Sequence, residues 1–139
     1  EKASFLSENI LPLQESGQLK FIDRTGDYTP SVFHNIDVLF VDGHTESMMI
    51  PHIHYQDKTL VFMADLLPST GHIPLPYVMG YDTRPLITLG EKGTFLNEAA
   101  SKEFVLFLEH DSVNECCTVE HTEKGVRLKD HMSFSSIFG

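Results

Sequence analysis

Three short apolar runs each stop beside a side chain able to hold a metal ion or move a proton. Val38-Leu39-Phe40-Val41 runs into Asp42-Gly43-His44-Thr45, Leu60-Val61-Phe62-Met63-Ala64 into Asp65, and Phe104-Val105-Leu106-Phe107-Leu108 into Glu109-His110-Asp111. Runs of this length, rich in Val and Phe, read as buried strands. A His, an Asp and a His are thereby delivered to strand C-termini, where layered α/β proteins gather site residues. Imidazole nitrogen and carboxylate oxygen suit zinc, iron or manganese. Isolated His and Asp after strands are also common as plain loop residues, so spacing alone leaves both readings open.

A second histidine pair, His52-Ile53-His54, resembles the start of an HxHxDH metal motif. It departs from that motif at Gln56, where Asp is required, and at Asp57, where His is required. The pair is read as structural or solvent-facing.

The elements that must position these groups follow from local pattern. Ala3 to Ser16 is expected to be helical, with Phe5, Leu6, Ile10 and Leu13 along one stripe, a break near Leu11 imposed by Pro12, and a stop at Gly17. Leu19 to Ile22 reads as a short strand, and Asp23 to Asn35 as a loop with a ragged hairpin. Ser47 to Tyr55 and Thr59 to Ala64 form strands around Gln56-Asp57-Lys58, and Pro51 demotes the first to an edge or a bulge. Met48, Ile50, His52 and His54 share one of its faces. Leu66 to Arg84 is too rich in Pro and Gly for a regular element and has the length of a pocket-shaping loop. Thr88-x-x-Glu91 reads as a capping box opening a helix whose buried face is Phe95, Leu96, Ala99 and Ala100. Gly90 and Gly93 weaken that helix, so packing must hold it. Cys116 to Thr122 and Val126 to Lys129 alternate around Glu123-Lys124-Gly125, a hairpin signal. Phe134, Ile137 and Phe138 are expected to lie on the body or on a partner.

The chain of 139 residues, 41% hydrophobic and 22% charged, is one domain or part of one, long enough to bury a core. Its formal charge of −10 argues against nucleic acid or an anionic membrane surface as partner. No run reaches the roughly 18 apolar residues of a membrane span, and nothing resembles a signal peptide. The adjacent Cys116 and Cys117 would face opposite sides of a strand, which argues against a disulfide framework and fits a cytoplasmic location. The chain opens at Glu1 directly into a helical pattern, a hint of further sequence upstream.

These residues together carry a family resemblance. Gly43-His44-Thr45 resembles the GHT motif of the metallo-β-lactamase superfamily, with Ser47 where its GHTxG pattern has Gly. Met63-Ala64-Asp65-Leu66-Leu67-Pro68 resembles the strand ending in the metal-bridging Asp, and Leu106-Phe107-Leu108-Glu109-His110-Asp111 the strand ending in the last metal-binding His. The loop from Asp65 through His72 to Tyr81-Asp82, with Glu91-Lys92 in the next helix, is similar to a lactonase-like, quorum-quenching subgroup. The resemblance covers about residues 4 to 129. It implies an α+β fold: the C-terminal half of an αββα sandwich, a mixed sheet with flanking helices.

Carried over by position, the resemblance makes His44 a ligand of a first metal, Asp65 the bridge, His110 a ligand of a second and His72 a substrate residue. It implies a parent that uses a divalent pair, two zinc ions by default, to activate hydroxide against an ester or lactone. The HxHxDH half is absent, and three ligands split between two positions fall short of the three a catalytic zinc takes for itself. The chain alone is therefore expected to be inactive, with weak metal binding or none. The sheet face left bare is expected to drive dimerisation. A non-catalytic binding or assembly module is the alternative.

Overall fold

The alternating runs pair into a single seven-stranded sheet in the computed structural model, which describes residues 6–139. The chain order is α1 (Ser7–Glu15), β1 (Tyr28–Phe33), β2 (Ile36–Val41), β3 (Met48–Tyr55), β4 (Lys58–Phe62), a 3-10 turn (Thr70–His72), α2 (Pro85–Lys102), β5 (Val105–Phe107), β6 (Cys116–Thr122), β7 (Gly125–Met132) and α3 (Phe134–Phe138). Strand order in space equals order in sequence. Every neighbouring pair is antiparallel except β4 and β5, which run parallel around the α2 crossover. β2, β4 and β5 therefore point the same way and end at one edge of the sheet.

Period-two alternation sorts the side chains onto two faces. One face, with Val41, Ile50, Val61, Met63, Leu106, Cys117 and Val119, packs on Phe95, Leu96 and Ala99 of α2. The other holds Leu60, Val105 and Cys116 with Ile53 and Phe107, and there α3 lays Ile137 and Phe138. The two cysteines face opposite sides as expected, and both are free and buried. Burial pushes the Cys116 thiol up to about 11 and the Cys117 thiol up to about 12. The aromatic tail lies on the body, Phe134 edge-on to Phe107 at 6.2 Å and Phe138 edge-on to Tyr55 at 5.8 Å. Among the described residues no helix is long and apolar enough to cross a membrane.

Several local expectations are corrected. Leu19 to Ile22 is not a strand; the first strand begins at Tyr28, inside the stretch read as loop and ragged hairpin, and carries an irregularity between Thr29 and Phe33. Pro51 sits in an interior strand: it pairs with Val38 on β2, while the ladder to β4 begins one residue later at His52. The missing N–H is thus tolerated beyond the end of a ladder rather than at a sheet edge. α1 passes through Pro12 without splitting, and none of its described residues is buried. The expected start at Ala3, and Phe5 of its stripe, lie outside the described residues.

The capping box is also overturned. α2 starts at Pro85, with Pro in the first turn where its absent N–H costs nothing, and Arg84 as N-cap. Thr88 is therefore already inside the helix, its hydroxyl buried and without a partner among the described residues. The expected buried face is present: Phe95, Leu96 and Ala99 are buried, and Ala100 packs partly against the same core.

Candidate functional site

Each of the three strand-end residues is the third beyond its strand: His44 after Val41, Asp65 after Phe62 and His110 after Phe107. Because those strands share a direction, equal overhangs converge. Asp65 stands between the imidazoles, with Oδ2 3.3 Å from His44 Nε2 and Oδ1 3.2 Å from His110 Nε2. A bridging carboxylate presents this geometry, one oxygen to each of two positions. Each position then has two protein donors, and among the described residues no group of three or more His, Cys, Asp or Glu surrounds a single point. The donor types suit a borderline divalent ion, while the donor number is below a full catalytic set.

Backbone bonds hold the three overhangs in place. Met63 N–H donates to Phe107 O at 3.0 Å, joining the Asp65 turn to the β5 end. His110 N–H donates to Pro68 O at 3.1 Å. Asp111 then accepts from the Thr70 N–H and hydroxyl and from the N–H groups of Val113 and Asn114, tying the His110 loop to the loop of His72. Burial alone would raise its pKa, but the donors from Asn114, Thr70 and Val113 outweigh it and hold the carboxyl well below the usual range.

The His44 turn is gripped from two sides. Gly43 N–H and Asp42 N–H both donate to the Glu91 carboxylate, at 3.0 and 2.6 Å, and Arg84 N–H donates to Gly43 O at 2.8 Å. Gly43 is required here by close approach: a Cβ would lie 2.3 Å from the Thr88 backbone nitrogen. Asp42 does not point at the site. It takes a two-pronged contact from Arg24 at 3.0 and 2.9 Å and accepts from Ser47 N–H at 2.7 Å. Ser47 has φ +56, the conformation for which Gly is the low-cost residue, so the departure from GHTxG is held by these contacts.

Asp82 is the site residue whose role sequence reasoning missed. Its side chain is fully buried, and Oδ1 lies 3.0 Å from His44 Nδ1. An ion held between His44 Nε2 and Asp65 would require the Nδ1–H to be donated to Asp82, the carboxylate–histidine pairing that sets a histidine's tautomer. The other Asp82 oxygen has no partner among the described residues. The one signal in the sequence is a carboxylate at the far end of the turn-rich loop, 38 residues from His44.

His72 does not touch Asp65. Its Nδ1 lies 2.9 Å from Ser69 Oγ, and it lines a cavity of about 520 Å³ with Pro68, Val78, Met79, Tyr81 and His110. Burial, with the nearby Lys92 charge, lowers its pKa. His52 is a core residue 3% exposed, flanked edge-on by Tyr28, Phe95 and Phe104, and His54 pairs with Asp37 at 2.7 Å. Neither belongs to the strand-end cluster.

No family model and no curated protein matches the sequence. Solved structures do match. AidC, a dizinc quorum-quenching lactonase in complex with a product, N-hexnoyl-L-homoserine, is 22% identical with a TM-score of 0.73 over 91% of this chain and 42% of its own. A probable metal-dependent hydrolase from Staphylococcus aureus is 20% identical with a TM-score of 0.70, over 84% of this chain and 40% of its own. The hydrolase AbOPH in the beta lactamase superfamily is 15% identical with a TM-score of 0.76, over 91% and 43%. The chain thus spans well under half the length of each. It has the α+β fold of one half of a metallo-β-lactamase-type sandwich, the fold of metal-dependent hydrolases of the β-lactamase superfamily.

Proposed function

We propose that this chain is the His44–Asp65–His110 half of a metal-dependent hydrolase acting on a small ester or lactone. The observation carrying the reading is the Asp65 carboxylate, which offers one oxygen toward each imidazole. His44 and Asp65 would hold one divalent ion, and Asp65 and His110 a second; zinc is the default for such donors, with iron, manganese and cobalt alternatives. Ions bound there would supply a water of lowered pKa and polarise the carbonyl of the substrate. With an ion bound, Asp82 would accept the His44 Nδ1–H and leave Nε2 free to hold that ion. His72 and the walls formed by Val78, Met79 and Tyr81 are the proposed substrate contacts, beside His110 in the same cavity.

Two donors per position support a chain that is inactive by itself and binds metal weakly. The test is metal content by plasma mass spectrometry after zinc loading, for the chain and its Asp65→Asn variant, beside hydrolysis of an acyl-homoserine lactone. Expected are at most one weakly held zinc, reduced in Asp65→Asn, and no turnover. Two zinc ions with turnover would overturn the half-site reading, and equal uptake by both proteins would overturn the ligand assignment.

The same donor count favours a second reading, a non-catalytic assembly module. Its interface would be the apolar cleft of about 480 Å³ formed by Ile53, Tyr55, Leu60, Phe62 and Phe107 with α3. Self-association through this face is proposed under either reading, and a monomer in sedimentation at micromolar concentration would count against it.

A further inference from the structure

Lys92 is buried completely, and its ammonium donates to three main-chain carbonyls: His72 O at 2.9 Å, Pro74 O at 3.4 Å and Tyr77 O. Among the described residues no carboxylate lies within salt-bridge distance of it. Burying an ammonium with no carboxylate in salt-bridge distance carries a large desolvation cost, which pushes its pKa down to about 8 against the opposing charge of nearby Asp82. An apolar side chain of the same length would fill the space at lower cost, so packing does not account for the charge. The carbonyls do. They belong to a loop that lacks a ladder of its own, where part-buried carbonyls need donors; Pro74 O also accepts from the Tyr77 N–H at 3.0 Å.

The preceding residue does the complementary task. Glu91 accepts two consecutive N–H groups, from Asp42 and Gly43, immediately before His44. The far end of the long loop is secured separately, through Thr83 N–H to His44 O at 3.1 Å and Asp82 to the His44 ring. Two neighbouring charges on α2 thus grip two different segments.

We propose that Glu91 and Lys92 are positioning residues that act independently, Glu91 setting the turn that presents His44 and Lys92 setting the segment that presents His72. The proposal rests on the hydrolase reading for its functional meaning, since it fixes the distance between a metal-side imidazole and a substrate-side one. The geometry itself does not depend on that reading.

The test is long-range ¹H–¹⁵N spectroscopy of the imidazole rings in the metal-free chain, comparing Lys92→Met and Glu91→Gln with the parent. His52, packed edge-on against Phe95 and Phe104, reports on the core. Lys92→Met is expected to displace or broaden the His72 ring signals while those of His44 and His52 stay. Glu91→Gln is expected to move His44 and spare His72 and His52. The proposal is overturned if either variant leaves its own histidine unmoved, or if both variants move the same set. Should Lys92→Met lose the His52 signals, Lys92→Gln, which keeps a donor, is read instead. Loss of His52 there too would assign Lys92 a structural role and end the proposal. Metal is absent throughout, so failure here leaves the zinc-loading test standing, and the reverse holds equally.

Discussion

A single methyl group at Gly43 tests whether the His44 turn is seated on α2 by direct backbone contact. In Gly43→Ala the new Cβ would fall 2.3 Å from Thr88 N, 2.3 Å from Thr88 Oγ1 and 2.5 Å from Thr88 Cα, whereas ordinary contact begins at 3.4 Å. Relief therefore needs a separation of about 1 Å, and two of the three atoms are helix backbone that cannot rotate aside. Moving the turn by that much stretches the N–H bonds from Asp42 and Gly43 to Glu91. Overpacking of this kind costs about 1–3 kcal/mol, and one weakened bond to the part-buried Glu91 carboxylate adds about 1.5–3 kcal/mol. A loss of about 3–5 kcal/mol in a domain of this size lowers Tm by roughly 10–15 °C. The assay is thermal unfolding by circular dichroism, with urea midpoints as a check on the slope. Adding Thr88→Ala should recover little, because it removes Oγ1 and leaves the backbone atoms in place. A Gly43→Ala protein melting within about 2 °C of the parent would refute the seating.

Three further outcomes follow from individual contacts. Thr88→Val replaces a buried hydroxyl that has no partner among the described residues by a methyl of the same shape, so it should raise stability by about 1 kcal/mol in urea melts; a fall of that size would show that the hydroxyl is bonded in solution. Asp37 accepts from the Tyr28 hydroxyl, the Ser31 N–H and His54, which together lower its pKa from 3.8 to about 2. A carboxylate whose pKa is depressed on folding contributes stability in full above its unfolded pKa and loses it as pH falls toward 2. Asp37→Asn should therefore cost about 1 kcal/mol at pH 7 after screening by solvent, and the difference from the parent should shrink below pH 4; a gap independent of pH between 2 and 7 would contradict this. Cys116 and Cys117 are buried with raised pKa values, so neither should react with iodoacetamide at pH 8 until urea unfolds the chain, as read by intact mass.

Much of the candidate site was legible because it rests on short-range pattern. Val38–Val41, Leu60–Ala64 and Phe104–Leu108 are apolar runs too short for helices, and each carries its polar residue just past the end, so the candidates His44, Asp65 and His110 could be picked without coordinates. The alternation that puts Cys116 and Cys117 on opposite faces is likewise local. The capping box failed for a local reason too: the helix had already begun at Pro85, which left Glu91 free to reach a different backbone. Pro51 misled because the rule concerns whether its N–H is needed, and that depends on where the β4 ladder stops.

Residue types and their strand-end positions were thus determined by the sequence, since apolar period and turn chemistry act over a few residues. Convergence was decided by tertiary structure alone. β2, β4 and β5 share an edge because two antiparallel turns and one parallel crossover leave them pointing the same way, and only then do equal three-residue overhangs meet at Asp65. Asp82 reaches His44, and Glu91 and Lys92 reach two loops, through contacts 15 to 49 residues apart in the chain. No local pattern encodes such pairings, because the energy that selects them comes from burying the polar groups together once the sheet and α2 have packed.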